Sequence, residues 1–95
     1  MGFQTNEYFD GNVASIAFQS DTLPATVGVM EIGEYTFGTQ AKEYMTVVSG
    51  NLTIKLINTT EWKTYHAGET FEVEANSSFD VKVTVQTAYL CLYEK

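Results

Sequence analysis

The chain holds few of the side chains that usually carry catalysis or bind a transition metal. Its one histidine is His66 and its one cysteine is Cys91. This supply is too small for a Cys/His zinc site, and neither a Ser-His-Asp triad nor a Cys-His pair is predicted. A hard-cation site built only from carboxylates stays open, although most acidic residues alternate with apolar ones, as on a solvated face. His66, which lies just before Gly68, is predicted to be an exposed turn residue.

Aromatic residues are numerous, and most of them are expected in the core. A small β barrel with several inward-facing rings and hydroxyls can also hold one flat ligand in its mouth. Glu43 is the acidic residue of most interest, because it begins a strand-like run that ends at the Ser49-Gly50 turn. Phe37 and Thr39 lie six and four residues before it. A lone glutamate at the start of a strand is usually exposed, so the residue types alone leave its role open.

The elements that must position these residues are β-strands, because apolar and polar residues alternate with a period of two along most of the chain. The last run is apolar on both faces and is predicted to be a central strand, with Tyr89, Cys91 and Tyr93 on one face. Another run places Phe79, Val81, Val83 and Val85 on one face. Turn residues separate about seven to nine short strands, which predicts a sandwich or a barrel. Only residues 39–43 are candidates for a brief helical turn.

Length and charge limit the classes of function. The 95 residues form one domain, residues 1–95. The 12 acidic residues outnumber the 5 lysines, no arginine is present, and the net charge is −7. A nucleic-acid partner or an anionic membrane surface requires a basic face, so neither is expected.

Compartment and assembly are also predicted. The single cysteine has no internal partner for a disulfide, which favours a reducing cytoplasm. The first residues have neither the basic start nor the apolar segment of a signal peptide, and no apolar run is long enough to span a bilayer. A chain this short buries only about 60–65% of its unfolded surface, so we expect a homodimer.

The spacing around Glu43 resembles the first sequence motif of the cupin fold, in which this glutamate is followed by six residues and a glycine, here Gly50. Two histidines of that motif stand at the positions held here by Phe37 and Thr39. In the second motif Gly68 fits, but Phe79 replaces the third histidine. The resemblance implies an all-β, single small cupin-type β barrel, jelly-roll-like, with only the glutamate of the metal site retained. One carboxylate does not hold a catalytic transition metal, so no metal and no cofactor are expected.

A closer resemblance covers nearly the whole chain. The chain is similar to the pyrimidine/purine nucleoside phosphorylase family, which consists of short bacterial cupins of about this length. This resemblance implies a pentosyltransferase that uses inorganic phosphate to cleave purine and pyrimidine nucleosides, with broad base tolerance, to free base and pentose 1-phosphate. The residues that carry it include Asn6-Glu7-Tyr8-Phe9, Gly33-Glu34-Tyr35-Thr36-Phe37, Met45-Thr46-Val47 and Tyr89-Leu90-Cys91.

For that reaction, Glu43 is the predicted catalytic residue, because a carboxylate can bond the ribose hydroxyls and favour a cationic sugar. Predicted substrate-binding residues fall into two groups. Aromatic rings stack on any base, and hydroxyls donate to phosphate or sugar; the five residues are Phe37, Phe79, Tyr89, Thr39 and Ser77. The phosphate site is the least defined, with Lys42 as the nearest basic residue and the backbone of residues 76–78 as a candidate anion nest.

Two alternatives stay open from the sequence. One is a non-catalytic, ligand-binding cupin that senses a nucleoside or a small sugar. The other is a metal-dependent cupin enzyme such as a sugar isomerase, against which the missing histidines argue. Turnover with phosphate distinguishes the phosphorylase from the sensor, and metal analysis identifies the third class.

Overall fold

The computed structural model describes residues 2–95, which form an all-β fold of ten strands with no helix among them. The strands are β1 Thr5–Tyr8, β2 Val13–Gln19, β3 Pro24–Met30, β4 Gly33–Gly38, β5 Glu43–Ser49, β6 Asn51–Leu56, β7 Lys63–His66, β8 Thr70–Val73, β9 Ser78–Val83 and β10 Thr87–Tyr93. Across residues 2–95, no helix of a length and apolarity suited to crossing a membrane is found.

The strands form two antiparallel sheets. The larger sheet has six strands in the order β1-β2-β3-β10-β5-β8, and the smaller has four in the order β4-β9-β6-β7. Strand β10 pairs with β3 on one side and β5 on the other. The prediction of a central last strand is therefore confirmed, and its physical basis is that a strand with neighbours on both edges and apolar residues on both faces has little contact with water.

The core lies between the inner faces of the two sheets. Alternate residues of β9 and β6 point into it, with Phe79, Val81 and Val83 from β9 buried and Leu52 and Ile54 from β6 buried. Tyr35 of β4 is buried as well, and these residues form one contiguous cluster with side chains of the larger sheet, Val13, Met30, Met45, Val47, Phe71, Val73, Tyr89 and Cys91. The alternating pattern of the sequence thus predicts which face of each strand is buried.

The structure corrects three local expectations. Ten strands form instead of the seven to nine that were expected. Strands β1 and β7 have four residues each and are largely exposed, so they lack the alternation that would identify them. Strand β9 ends at Val83, and Val85 is 44% exposed rather than inward-facing. Residues 39–43 contain no helical turn; the chain there is irregular until β5 begins at Glu43.

The tight connection between β5 and β6 requires its glycine. Gly50 has a φ of +95°, and a Cβ atom there would lie 2.4 Å from the Thr87 hydroxyl oxygen. That hydroxyl accepts a hydrogen bond from the Asn51 backbone N–H and donates to the carbonyl oxygen of Asn51. The turn that follows Glu43 in the cupin-like motif is thereby fixed to the start of β10, the strand that lines the site.

Candidate active site

A cavity of about 540 Å³ opens from the core and receives side chains from both sheets. The larger sheet contributes residues from β1, β2, β3, β5 and β10, and the smaller sheet contributes residues from β4 and β9. The lining also includes the turn that follows β1 and the segment that precedes β5. The lining residues used below are Tyr8, Phe9, Ser15, Phe37, Gln40, Glu43, Phe79, Tyr89, Cys91 and Tyr93.

Glu43 lies half-buried in this cavity at the first residue of β5, directly across the ladder from Tyr93. The thiol of Cys91 donates a hydrogen bond to its carboxylate, with Sγ 3.5 Å from Oε1. Burial raises the pKa of Glu43 above its usual value, and the thiol opposes that shift because its hydrogen bond favours the charged carboxylate. The carboxyl group is thus held inside the cavity with one donor beside it.

Strand β10 supplies three protonated groups to the same wall. Tyr89 and Cys91 are buried, and the Tyr93 hydroxyl lies 3.0 Å from the hydroxyl of Thr26. Burial raises the pKa of Tyr89 to about 12, while its hydrogen bond with Ser15 acts in the opposite direction. Burial likewise raises the pKa of the Cys91 thiol and of Tyr93. At neutral pH these groups therefore act as neutral hydrogen-bond donors rather than as nucleophiles.

The predicted aromatic residues meet in the cavity. Phe37 of β4 and Phe79 of β9 are directly paired across the ladder, and their rings stack with centroids 5.5 Å apart. Tyr89 lies on the opposite sheet and lines the same space. The structure thus brings together Glu43, Phe37, Phe79 and Tyr89, although these residues are far apart in sequence. Their role in substrate binding stays a prediction.

Thr39 and Ser77 contact each other but do not line the cavity. The Thr39 hydroxyl donates to the carbonyl oxygen of Glu74 at 2.7 Å and accepts from the Ser77 backbone N–H at 2.9 Å. The Thr39 N–H donates in turn to the carbonyl oxygen of Ser77. These bonds join the segment before β5 to the turn before β9. The hydroxyl of Thr39 therefore already donates one hydrogen bond to the backbone and accepts another from it, and substrate binding by these two residues stays a prediction.

The candidate phosphate groups also lie outside the cavity lining. Lys42 forms ion pairs with Glu72 at 3.1 Å and with Glu74 at 3.7 Å, so its charge is already matched. Asn76 has a left-handed φ of +54°, which is compatible with a nest, but the next N–H, that of Ser77, already donates to Thr39. Among residues 2–95, the side chains that line the cavity include no lysine.

Several lining residues were not identified from the sequence. Tyr8 is the last residue of the exposed strand β1 and Phe9 follows it, and neither Ser15 nor Gln40 was predicted to bind substrate. Cys91 and Tyr93 were predicted to share one face of the last strand with Tyr89 but were not assigned to the site. Because all inward residues of one central strand point the same way, the position of Tyr89 in the site was the available signal for Cys91 and Tyr93.

The side chains at the cupin metal positions do not fit a metal ion. Phe37 and Phe79 have no ligand atom, and the hydroxyl of Thr39 is bonded to the backbone. Nowhere in residues 2–95 do three His, Cys, Asp or Glu side chains cluster closely enough to hold one. Of the four cupin metal positions, Glu43 alone carries a carboxylate, and one carboxylate does not hold a catalytic transition metal.

The ten antiparallel strands and the cavity between two sheets define a cupin-fold protein, as the sequence predicted. Solved structures agree. An RmlC-like cupin from Shewanella frigidimarina superposes with a TM-score of 0.75 at 15% identity, covering 96% of this chain and 82% of that one. A crystal structure of a protein of unknown function from Vibrio parahaemolyticus superposes with a TM-score of 0.94 at 50% identity, covering 99% of this chain and 100% of that one.

The particular family follows from the sequence comparisons. The family model described as pyrimidine/purine nucleoside phosphorylase matches residues 3–93. A protein of that name from Psychromonas ingrahamii is 74% identical over 94 residues, which is 99% of this chain and 100% of the relative. The chain belongs to the pyrimidine/purine nucleoside phosphorylase family, and the resemblance predicted from the sequence is confirmed.

Proposed function

We propose that this chain is a pentosyltransferase that uses inorganic phosphate to cleave purine and pyrimidine nucleosides, without a metal ion. The observation that carries the proposal is the shared cavity of Glu43, Phe37, Phe79 and Tyr89. It holds one half-buried carboxyl group among flat rings and neutral hydroxyl donors. The names of the family and of its relatives support the same reaction.

The reaction balances with dihydrogen phosphate as the co-substrate. The bond from C1′ to the base nitrogen breaks, a bond from C1′ to a phosphate oxygen forms, and the departing nitrogen takes up the proton that the phosphate releases. Positive charge develops on the sugar as the first bond breaks. The carboxylate of Glu43 stabilises that charge and bonds the ribose hydroxyls.

Broad base tolerance is proposed from the chemistry of the cavity wall. Phe37 and Phe79 offer apolar ring surface with no side-chain hydrogen-bonding group. Stacking discriminates weakly between bases because every base has a π face. Uridine and adenosine are therefore both expected to be substrates.

Phosphate binding is assigned to neutral donors. The hydroxyl of Tyr89 stays protonated at neutral pH because burial raises its pKa to about 12. Gln40 offers an amide N–H and Ser15 a hydroxyl in the same cavity. Such donors favour the monoanion of phosphate over the dianion, because no lysine of the described lining offsets the charge.

The same shortage of positive charge favours one second candidate, a non-catalytic cupin that senses a nucleoside or a small sugar. A neutral nucleoside would occupy the cavity without the electrostatic cost that a phosphate brings. This candidate and the phosphorylase differ in turnover.

The deciding experiment is a base-release assay with purified protein. Uridine or adenosine is incubated with and without inorganic phosphate, in the presence of EDTA, and free base and pentose 1-phosphate are quantified. The phosphorylase gives both products in equal amounts only when phosphate is present. Binding without turnover would favour the sensor, and loss of activity in EDTA would contradict metal independence.

A homodimer in the cytoplasm is also proposed. The outer face of the larger sheet carries a row of directly paired apolar residues, Ile16, Val27 and Leu90, and Val29 beside it is 55% exposed. These residues are uncharged in a chain of net charge −7. Burying this apolar row against a second copy removes apolar surface from water. The buried free thiol of Cys91 agrees with a reducing compartment.

A further inference from the structure

The mouth of the cavity is bordered by the turn between β1 and β2. Phe9 lines the 540 Å³ cavity and also a second one, of about 510 Å³, whose lining includes Tyr35, Trp62 and Asp80. Phe9 is 44% exposed although its ring packs on Tyr35 and Phe37, with centroid distances of 5.0 and 5.5 Å. Phe9 thus belongs to the linings of both cavities and is partly accessible to solvent.

The backbone at Phe9 is unusual for an aromatic residue. Phe9 has a φ of +54° and Asp10 a φ of +58°, so two successive non-glycine residues are left-handed. The turn is closed by hydrogen bonds from the Gly11 and Asn12 N–H groups to the carbonyl oxygens of Tyr8 and Phe9. A left-handed conformation costs a bulky residue about 1–3 kcal/mol, and asparagine or glycine would avoid most of it. A phenylalanine here therefore needs a reason beyond the turn.

We propose that Phe9 is a base-binding residue that covers one face of the nucleobase at the mouth of the cavity. This inference rests on the proposed function and assigns the base to the aromatic end, formed by Phe9 and Phe37. The pentose then lies towards Glu43, which is part of the same lining. Phe9 packs edge-on against Phe37 at an interplanar angle of 87°, and both rings line the cavity.

The test is nucleoside binding without phosphate, measured by calorimetry with adenosine and with uridine. The variant Phe9→Asn removes the ring while keeping a residue that tolerates the left-handed turn. We expect its Kd to rise about tenfold for adenosine and less for uridine, because stacking grows with ring area. Phe9→Tyr keeps the ring and is expected to bind as the natural protein does. The matched control Asp10→Asn relaxes the same turn outside the cavity lining and is expected to leave both Kd values unchanged.

A structural role for Phe9 would give a different pattern. The stacking role is overturned if Phe9→Asn has the melting temperature of the natural protein and binds each nucleoside with the Kd of the natural protein. Should Phe9→Asn fail to fold, Phe9→Leu fills the space without a flat ring, and unchanged adenosine affinity in that variant overturns the role. If the protein shows no phosphorolysis but its nucleoside binding depends on Phe9, the phosphorylase proposal is rejected and the stacking role of Phe9 is supported. Absence of nucleoside binding by the natural protein rejects both.

Discussion

At the scale of single residues, the site is governed by the cost of burying a carboxylate. Glu43 is half-buried, its carboxylate accepts a hydrogen bond from the Cys91 thiol, and it forms no ion pair among residues 2–95. The burial raises its pKa above the ordinary 4.5. A glutamate with a raised pKa gains or loses its proton at a pH nearer to neutrality than an exposed glutamate does. Such shifts of pKa are common among residues that take part in catalysis.

The first prediction concerns the pH dependence of turnover. If the carboxylate form of Glu43 stabilises the sugar cation, kcat/KM falls as the pH drops through its raised pKa. The acid limb of the profile is therefore expected at a pH above 4.5. The measurement is kcat/KM for uridine over a pH series at saturating phosphate. Activity that stays constant down to pH 4.5 would contradict this role.

The variant Glu43→Gln gives the second prediction. We expect kcat/KM to fall about 100-fold or more, because the amide keeps the shape but not the charge. The folded protein binds a proton at Glu43 more tightly than the unfolded chain does, so this group lowers stability as pH rises from its unfolded to its folded pKa. Glu43→Gln has no carboxyl group to lose a proton there. In a denaturant titration at neutral pH, its free energy of unfolding is therefore expected to be at least that of the natural protein. Near-natural activity would reject the catalytic assignment.

The third prediction concerns the Cys91 thiol, which donates a hydrogen bond to Glu43. Cys91 is 1% exposed and burial raises its pKa, so little thiolate exists at neutral pH. Alkylation by iodoacetamide in the folded protein is expected to be at least about tenfold slower than in denaturant. Mass spectrometry of timed samples measures both rates. Equal rates would show that the thiol is accessible and that the wall of the cavity opens readily.

At the scale of elements, the close approach of β3 to β10 positions the cavity wall. Gly28 of β3 pairs directly with Tyr89 of β10. A Cβ atom at Gly28 would lie 2.7 Å from the Tyr89 hydroxyl and 2.6 Å from the carbonyl oxygen of Ala14. The ring of Tyr89 therefore lies where any other residue at position 28 would place its side chain.

Gly28→Ala is accordingly predicted to shift Tyr89 and to weaken the fold by about 1–3 kcal/mol, the usual cost of overpacking. Phosphorolysis is expected to fall in the same variant because Tyr89 leaves its place in the cavity. The matched control is Gly38→Ala, where a Cβ atom would meet nothing nearer than the Ser77 carbonyl oxygen at 3.9 Å. Thermal unfolding and base release of both variants provide the measurements. Equal effects at the two glycines would contradict the prediction.

Strand prediction succeeded or failed according to burial. Strand β9 alternates clearly because one face packs in the core and the other meets solvent, and its pattern identified Phe79, Val81 and Val83. Strands β1 and β7 contribute little to the core, so hydrophobic burial leaves no period in their sequences. Tyr8 at the end of β1 and Phe9 after it nevertheless line the cavity, although sequence analysis did not assign these two residues to the site.

At the scale of the whole molecule, the proposed dimer gives the last prediction. Placing a charge in the apolar row of the outer face with Val27→Asp is expected to convert a dimer, of twice the 10.6-kDa chain mass, to a monomer. The control Ile57→Asp changes a residue that is also exposed, at 51%, but follows the end of β6. Light scattering after size-exclusion chromatography measures the mass. A monomeric natural protein, or dimerisation that survives Val27→Asp, would reject this interface.

The sequence by itself determined the all-β class, the inward face of the main strands, the central place of the last strand and the membership of the family. These properties follow from alternation along the chain and from local spacing such as that of Glu43 and Gly50. Only the tertiary structure decided that Cys91 donates to Glu43, that Thr39 is bonded to the turn before β9, and that Phe9 borders the cavity. Such contacts join residues from separate strands, and their distances depend on how the two sheets pack rather than on any local pattern.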